Sequence, residues 1–401
     1  MITKEHAVKN IIIAGGGLEN KGAQAMTLIC ICELKKRYPD HRMILLTWDA
    51  SAAAREKHAM YDLELLEVPP MKFSGAARNP LLRTFYTLRY GKHFTRTDEI
   101  YRNTELLVDI SGYALGSNWN PKVCNDYLDN LEFALAYDIP VYLLPQSFGP
   151  LDFVSETGRV VDARARRLLP RIKKIFAREQ EGYDALVSRY GLTNVTLTHD
   201  MVLASSIEDY SPALRKPLEI HLPEIPENSI CLIPNIRTDD NGSGHSIELY
   251  KNAIQEALSQ NLYVYLTYHS SQDKALCKDL KAAFADSDRV ILLEHDHSCM
   301  EFNELVKKFR FVVASRFHAI VHALKNGIPC IAIGWAVKYI DLLNLFGQGA
   351  YMFDLRKTVE PEALCRAVAA MNENYGEESC KIRAVLPELQ KENVFDLIKE
   401  S

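Results

Sequence analysis

The stretch Ile11-Ile12-Ile13-Ala14-Gly15-Gly16-Gly17 passes from an apolar run into a glycine-rich turn, and an apolar periodic segment follows at residues 23–37. This order predicts a buried strand, a tight turn and a helix. Further strand-like runs occur at residues 43–47, 106–110 and 141–144, and each ends in small or turn-forming residues. Because such strands alternate with helical segments, we predict an α/β fold with a mostly parallel sheet.

The second half of the chain repeats this pattern. Its strand-like runs lie at residues 230–233, 263–268, 290–293, 311–314 and 330–333. Between the halves, Pro212, Pro217, Pro223 and Pro226 make a helix or a central strand unfavourable. A chain of 401 residues also exceeds what one hydrophobic core usually supports. We therefore predict two Rossmann-like domains that face each other across a cleft, at residues 1–212 and 213–401.

Residues 68–101 interrupt the alternation of strands and helices. They are rich in Arg, Tyr and Phe, and we predict that they form a helical excursion beside the cleft. A solvated face with aromatic packing explains this composition at least as well as ligand binding does. The final segment, residues 361–399, is also predicted to be helical.

The overall composition excludes some classes of protein. With 47 Lys and Arg against 52 Asp and Glu, and a pI near 6.2, the chain lacks the concentrated basic face that nucleic-acid binding needs. No apolar run approaches the roughly 20 residues that cross a bilayer, and the first ten residues lack the apolar centre of a signal peptide. Nine scattered cysteines without a CxxC pair indicate buried thiols in a reducing compartment. We expect a cytoplasmic protein.

Three loops of the first half carry candidate binding residues. Open parallel sheets bind ligands outside the carboxyl ends of their strands, where these loops lie. The candidates are Gly16, Asn20 and Lys21 in the glycine turn, Ser111 and Tyr113 after residues 106–110, and Gln146 and Ser147 in the loop at residues 145–150. Their small side chains, aromatic ring, amides and hydroxyls suit a sugar. Ordinary turn geometry explains each loop about as well.

The strongest motif is Ser315-Arg316-Phe317-His318, which follows the run at residues 311–314. It brings a guanidinium and an imidazole to the start of a predicted helix, with Ser315 as the expected N-cap. A ligand with both a phosphate and a carboxylate would be held well there. An Arg paired with a nearby acid and a locally packed His would explain the motif equally well.

Two further cations occupy similar positions. Lys338 is expected in the loop after residues 330–333, and Arg178 comes directly after residues 175–177. Either could instead be an ordinary surface charge. His322 is interpreted as a structural residue, and His295-Asp296-His297 is interpreted as a polar turn. Because no cluster has metal-ligand spacing, we expect neither a metal nor a cofactor.

In their order and spacing, these motifs resemble those of the polysaccharide pyruvyl transferase family. The resemblance runs from residue 11 to about residue 346, and Ser315-Arg316-Phe317-His318 with Lys338 downstream is its most specific part. Residues 15–26, Ser111-Gly112, residues 145–150, Arg178-Glu179 and Asp200 also contribute. Two positions depart from the family pattern, because Ala23-Gln24 stand where members commonly have Asp-Glu, and Phe317 replaces a more usual aliphatic residue.

The resemblance implies a GT-B-like fold and phosphoenolpyruvate as the donor. A pyruvate ketal would form on hydroxyls of a cell-surface glycan or its lipid-linked precursor. The second domain would bind the donor through Ser315, Arg316 and Lys338, with Arg178 of the first domain helping to hold it, and the first domain would bind the acceptor. Peripheral association with the inner face of the membrane and a homo-oligomer both stay open.

The resemblance also implies a mechanism. We expect His318 to act as an acid and base that protonates C3 of phosphoenolpyruvate, because imidazole can exchange a proton near neutral pH. Arg316 would share the catalytic role, holding the donor's charges together with Arg178 and Lys338. One alternative is a GT-B glycosyltransferase that uses a nucleotide sugar. Another is an inactive sugar-binding relative, for which Gln24 gives modest support.

Overall fold

The computed structural model describes residues 8–238 and 246–398, whose strands form two separate sheets. The first sheet contains β1 (Asn10–Ala14), β2 (Arg42–Thr47), β3 (Glu64–Glu67), β4 (Thr104–Asp109), β5 (Tyr113–Leu115), β6 (Val141–Phe148), β7 (Lys174–Ala177) and β8 (Val195–Leu197). The second contains β9 (Ser229–Ile233), β10 (Tyr263–Leu266), β11 (Val290–Leu292), β12 (Val312–Ala314), β13 (Cys330–Gly334) and β14 (Met352–Asp354).

All pairings between these strands are parallel. The first sheet has the order β3-β2-β1-β4-β6-β7-β8, with β5 beside β6, and the second has the order β11-β10-β9-β12-β13-β14. In each sheet the first strand of the half, β1 or β9, lies in the interior. The chain builds the sheet outward on one side of that strand and then crosses to the other side, as in a doubly wound Rossmann sheet. The predicted pair of Rossmann-like domains is therefore confirmed, while the boundary at residues 212/213 stays a prediction.

The helices pack around both sheets. In the first half they are α1 (Lys21–Arg37), α2 (Ala52–Lys57), α3 (Pro80–Tyr90), α4 (Lys92–Arg102), α5 (Pro121–Ala136), α6 (Glu156–Leu168), α7 (Gln180–Tyr190) and α8 (Met201–Ala204). In the second half they are α9 (Ser246–Ser259), α10 (Lys274–Ala283), α11 (Cys299–Val306), α12 (Phe317–Lys325), α13 (Val337–Leu345) and α14 (Pro361–Leu389). Short 3₁₀ helices lie at Met71–Ala77, Leu169–Arg171, Ser211–Ala213, Ser271–Asp273, Gly349–Tyr351 and Val394–Leu397.

The opening strand and helix form as the sequence predicts. All five residues of β1 are buried, because helices cover both faces of the parallel sheet. Asn20 caps α1, since its side-chain oxygen accepts hydrogen bonds from the backbone N–H groups of Gly22 and Ala23. Three basic residues in the last turn of α1 complement the helix dipole. This geometry places the start of α1 directly beside the cleft.

One apolar core is shared by the two halves. It contains buried residues of α1 and α8 from the first half together with residues of α11 and α12 from the second. Two further cores lie on the outer faces of the sheets, one in each half. Apolar packing therefore joins the two halves beside the cleft.

Three details differ from the sequence predictions. The helix predicted from residue 302 begins at Cys299, because Ser298 and Glu301 form a capping box. Lys338 lies in the first turn of α13 and not in a loop. The segment at residues 68–101 is helical, but it does not lie at the cleft, since none of the described cleft-lining residues comes from it. Within the described parts of the chain, no helix is long and apolar enough to cross a membrane.

A candidate active site in the cleft between the halves

The cleft has a volume of about 1090 Å³ and is lined by both halves of the chain. Its walls come from loops and helix starts at the carboxyl ends of the strands, which is the usual ligand position in open α/β sheets. Six of the residues predicted from the sequence line it, namely Asn20, Tyr113, Ser147, Arg316, His318 and Lys338. A space of this size can hold a small anionic donor together with a sugar.

Arg316 is fixed in place by a buried carboxylate. Its Nε and one Nη donate hydrogen bonds of 2.7 Å to the two oxygens of Asp273, which is fully buried. Asp273 also accepts a hydrogen bond from the backbone N–H of Ile236. The other terminal nitrogen, Nη1, has no partner among the described residues, so the guanidinium keeps donor capacity for a ligand. A bidentate pair of this kind orients the planar fork without using all of its hydrogens.

His318 lies between the two halves. Its Nε2 is buried and lies 3.5 Å from Asp200 Oδ2, and the residue lines the cleft. On the other side, Gly22 of α1 approaches so closely that a Cβ added there would lie 2.5 Å from the imidazole. The start of α1 is therefore shaped to the ring, and Asp200 can orient it in the way that a carboxylate orients a catalytic histidine.

Asp200 and Arg178 form a buried ion pair behind this histidine. Arg178 donates to Asp200 Oδ2 at 2.9 Å and to Glu179 Oε1 at 2.9 Å, and only 3% of its side chain is exposed. Burial favours protonation of Asp200, but the charges of His318 and Arg178 outweigh it and hold the pKa of Asp200 well below its usual value. Protein groups thus hold Nε and Nη1 of Arg178, while its Nη2 has no partner among the described residues. Arg178 does not line the cleft itself, but it lines a smaller cavity of about 220 Å³ together with Phe317 and Lys338.

Lys338 is the cation that differs most from an ordinary surface lysine. No carboxylate of the described residues forms an ion pair with its amine, and its Nζ lies 5.1 Å from the centre of the Phe317 ring. Burial, to which the charge of Arg178 adds, lowers the pKa of Lys338 to about 8. The charges of Glu179 and Asp200 offset this lowering only in part, so an anion in the cleft would add a counter-charge.

Phe317 explains one departure from the family pattern. The guanidinium of Arg178 lies 4.7 Å from the centre of its ring, and Lys338 lies over the same ring. An aromatic face attracts cations, whereas an aliphatic side chain offers only packing. The ring therefore offers both cations an attractive aromatic contact.

The second departure, at Gln24, lies in the contact between the halves. Its side-chain oxygen accepts a 2.6 Å hydrogen bond from the backbone N–H of Cys299, and its amide donates to the hydroxyl of Tyr61. Lys21 also crosses between the halves, where it donates to Asp296 at 3.0 Å and is almost completely buried. Both side chains connect α1 to the second half, and neither lines the cleft.

Four other predicted residues also face away from the cleft. Gly16 packs against Thr27, and the Ser111 N–H donates to the buried carboxylate of Asp109. Gln146 is fully buried and donates to the same carboxylate. The prediction that Ser315 caps the helix is wrong, because the cap position is Arg316 and the Ser315 hydroxyl accepts from a buried tyrosine. These residues make contacts within the protein at the strand ends and do not line the cleft.

The opposite wall offers an aromatic and polar surface. The rings of Tyr113 and Trp119 lie 5.4 Å apart, and Trp119 is 40% exposed. The Tyr113 hydroxyl donates to the carbonyl of Gly149, which fixes the ring. Ser147 donates to Glu179 Oε1 at 2.8 Å, and Asn20 borders the same space. Exposed aromatic faces beside hydroxyl and carboxylate groups are suited to a sugar ring.

Two buried histidines complete the surroundings of His318. Burial lowers the pKa of His322 to about 3, and burial also lowers the pKa of His269 well below its usual value. Both rings are therefore neutral at physiological pH. His322 packs against Phe302 as a structural residue would, while His269 borders the cleft, a position that the sequence did not reveal. Among the described residues, no three His, Cys, Asp or Glu side chains are grouped to hold a metal ion.

Several important side chains carried little sequence signal. Asp273, which fixes Arg316, lies 43 residues before it in the chain, and only its position after β10 could have indicated a role. Gly22 was visible as part of the glycine turn, but its fit to the imidazole was not. Asp200 was part of the family resemblance, but the sequence did not predict that it would contact His318 and Arg178.

The same architecture occurs in solved structures with very different sequences. A UDP-GlcNAc 2-epimerase from Methanocaldococcus jannaschii is 12% identical, with 95% of this chain and 100% of that chain covered and a TM-score of 0.55. The MnaA–UDP co-structure from S. aureus is 10% identical, with 95% and 92% covered and a TM-score of 0.55. Acinetobacter baumannii MurG is 13% identical, with 98% and 100% covered and a TM-score of 0.50. These likenesses confirm the GT-B-like fold.

A family assignment rests on the sequence and not on these structures. No curated protein sequence matched the chain. The family model described as polysaccharide pyruvyl transferase matches residues 20–336, which include Gly22, Asp200, Asp273, Arg316 and His318. Since this match covers well over half of the chain, the protein belongs to the polysaccharide pyruvyl transferase family.

Proposed function

We propose that the protein transfers the pyruvyl group of phosphoenolpyruvate to two hydroxyls of one sugar in a glycan or a lipid-linked saccharide. In this reaction, C3 of the donor gains a proton and C2 forms bonds to the two hydroxyl oxygens. The bond between C2 and the phosphate oxygen breaks, and phosphate leaves. The two hydroxyls lose one proton each, of which one balances C3 and the other goes to phosphate or solvent. No redox step or cofactor is needed.

The observation that carries the proposal is the convergence of Arg316, His318 and Lys338 on one cleft. Arg316 is held rigidly by Asp273 and keeps Nη1 for a ligand. Lys338 has a positive charge below pH 8 that no described carboxylate pairs with directly. A small trianion such as phosphoenolpyruvate would satisfy both cations at once, and their fixed positions would stabilise negative charge on the departing phosphate.

In the proposed mechanism, the imidazole of His318, which lines the cleft, delivers the proton to C3. Asp200 stabilises the charged imidazole and holds its orientation. After C2 becomes electrophilic, the neutral ring can accept a proton from an attacking hydroxyl. Arg178 is assigned a positioning role, since it contacts Asp200 and is covered by protein.

The acceptor is assigned to the wall formed by the first half. Tyr113 and Trp119 would contact a sugar face, and Ser147 with Glu179 would meet its hydroxyls. A sugar bound there would face Arg316, His318 and Lys338 on the other wall. Its hydroxyls would then lie next to a donor held by those residues, as transfer between two bound substrates requires.

Thermal unfolding with phosphoenolpyruvate or UDP tests the donor. Phosphoenolpyruvate at about 100 times its Kd should stabilise the protein by about 2.7 kcal/mol, which raises Tm by a few degrees. UDP, which accompanies one of the structurally similar proteins, should have no such effect. Stabilisation by UDP alone would replace this proposal with nucleotide-sugar transfer.

His318→Ala tests the proton donor. We expect the variant to keep phosphoenolpyruvate binding but to lose at least about 100-fold in acceptor-dependent phosphate release, as removal of a general acid does. His221→Ala is the matched control, because that side chain is 85% exposed and pairs with Glu219 on the surface, away from the cleft. Unchanged turnover in His318→Ala would remove His318 from the mechanism.

A further inference from the structure

Helix α3 carries an apolar face that no other described part of the chain covers. Leu81, Phe85 and Leu88 are 82%, 53% and 83% exposed, respectively. Their spacing of four and three residues puts them on one side of the helix, which we call the α3 outer face. Single exposed apolar residues are common on protein surfaces, but three neighbours of this size on one helix are a feature of interaction sites.

The opposite side of α3 attaches it firmly to the domain. Tyr86 and Tyr90 pack on Phe73, which is fully buried, and Phe94 of α4 completes this aromatic cluster. Asn79 caps the helix, and Pro80 occupies its first turn. The outer face is therefore presented on a folded helix and is not a product of a loose segment.

The surroundings of the outer face are basic. Residues 68–97 contain six Lys and Arg but no Asp or Glu, in a chain whose net charge is −5. Arg78, Arg83 and Arg96 pair with acids from outside this range. For Arg89 and Lys92, which flank the end of α3, the described residues offer no carboxylate partner. Two cations without a carboxylate partner among the described residues thus flank the end of the apolar face.

We propose that the α3 outer face binds the surface of a membrane that contains anionic lipids. Leucine and phenylalanine side chains would enter the boundary between headgroups and acyl chains, and Arg89 and Lys92 would meet lipid phosphates. A helix of 11 residues is about 16 Å long, too short to span a bilayer but suited to lie along its surface. Pairing with a second copy through this face is disfavoured, because the two-fold contact would bring like charges together.

Vesicle sedimentation of the full chain tests the proposal. We expect binding to vesicles of phosphatidylcholine with one quarter phosphatidylglycerol, little binding to phosphatidylcholine alone, and weaker binding as salt rises. The double variant Leu81→Ser and Leu88→Ser should bind at least about tenfold more weakly, because it removes most of the insertable surface. Its Tm should match the wild type, since both side chains are already exposed.

A control variant and a charge variant test whether vesicle binding depends on the α3 outer face and on its neighbouring cations. Val154→Ser removes an apolar side chain that is 81% exposed elsewhere, and it should bind like the wild type. Arg89→Glu with Lys92→Glu should abolish the preference for anionic vesicles. Equal vesicle binding by the Leu81/Leu88 variant and the wild type would overturn the proposal. So would a wild-type dimer in light scattering that the same variant converts to a monomer, because the face would then serve self-association.

Discussion

Donor affinity is expected to fall between pH 7 and pH 9, because Lys338 loses its proton in this range. Its pKa is lowered to about 8 by burial and by the charge of Arg178. With that pKa, about nine-tenths of the protein carries the charged amine at pH 7 and about one-tenth does so at pH 9. A bound phosphate dianion stabilises the charged form, so the complex keeps its proton across this range. The Kd for phosphoenolpyruvate should therefore rise about tenfold from pH 7 to pH 9.

Isothermal titration calorimetry measures both the affinity and the proton. At pH 8 about half of the free protein is unprotonated at Lys338, so binding should take up about half a proton per donor molecule. Titrations in two buffers with different ionisation enthalpies give this number directly. The uptake due to Lys338 should approach zero at pH 6.5, where the amine is already charged.

Two variants assign the effect to Lys338. Lys338→Arg keeps its charge at every pH tested, and its donor affinity should be nearly constant between pH 7 and pH 9. Lys338→Met should bind about 10–100-fold more weakly at pH 7, since a hydrogen bond to a charged group contributes about 1.5–3 kcal/mol. It should also lack the pH dependence. A wild-type Kd that stays constant from pH 7 to pH 9, or a Lys338→Met variant with the same slope as the wild type, would refute the reasoning.

Two further predictions concern the groups that position His318. Gly22→Ala should lower kcat at least about tenfold, because the added Cβ would lie 2.5 Å from the imidazole, which would have to move to make room. Steady-state phosphate release measures the loss. Asp200→Asn should destabilise the fold by about 3 kcal/mol in urea unfolding, because it leaves the buried Arg178 with only part of its counter-charge.

Both predictions have clear controls. Gly376→Ala adds the same methyl group to α14, where nothing lies within 4 Å of the new atom, so its activity should be unchanged. Asparagine at residue 200 can still accept the N–H groups of Val202 and Leu203, so the variant keeps the cap of α8 and removes mainly charge. Full activity in Gly22→Ala, or a stability loss below about 1 kcal/mol in Asp200→Asn, would contradict these roles.

The order of strands and helices was predictable because each element has a local signature. The run Ile11-Ile12-Ile13 is buried on both faces and marks a parallel strand without help from the rest of the chain. The strand and helix around Arg316 were equally visible. Helix ends were predicted less well, since the capping box at Ser298 lies before the apolar residues that reveal the helix.

The partners of the site residues could not be read from the sequence. The positions of Arg316 and His318 at a strand end were predictable, but the pairing of Arg316 with Asp273 depends on how β10 and β12 flank β9. For Arg178, the sequence placed the residue after its strand correctly. Only the packed structure shows that Asp200 and Glu179 occupy its guanidinium. A residue's place along a sheet edge follows from local pattern, whereas its burial and pairing follow from contacts distant in sequence.

The contact of Gly22 with His318 limits how these halves can be recombined with those of related proteins. A chimera that joined this second half to a first half with a larger residue at the start of α1 would place that side chain inside the volume of the imidazole. The Gln24 hydrogen bond to Cys299 adds a second requirement at the same junction. The two halves therefore fit each other at this junction. A chimera that takes the second half from this protein would also need to take the first turn of α1 from it.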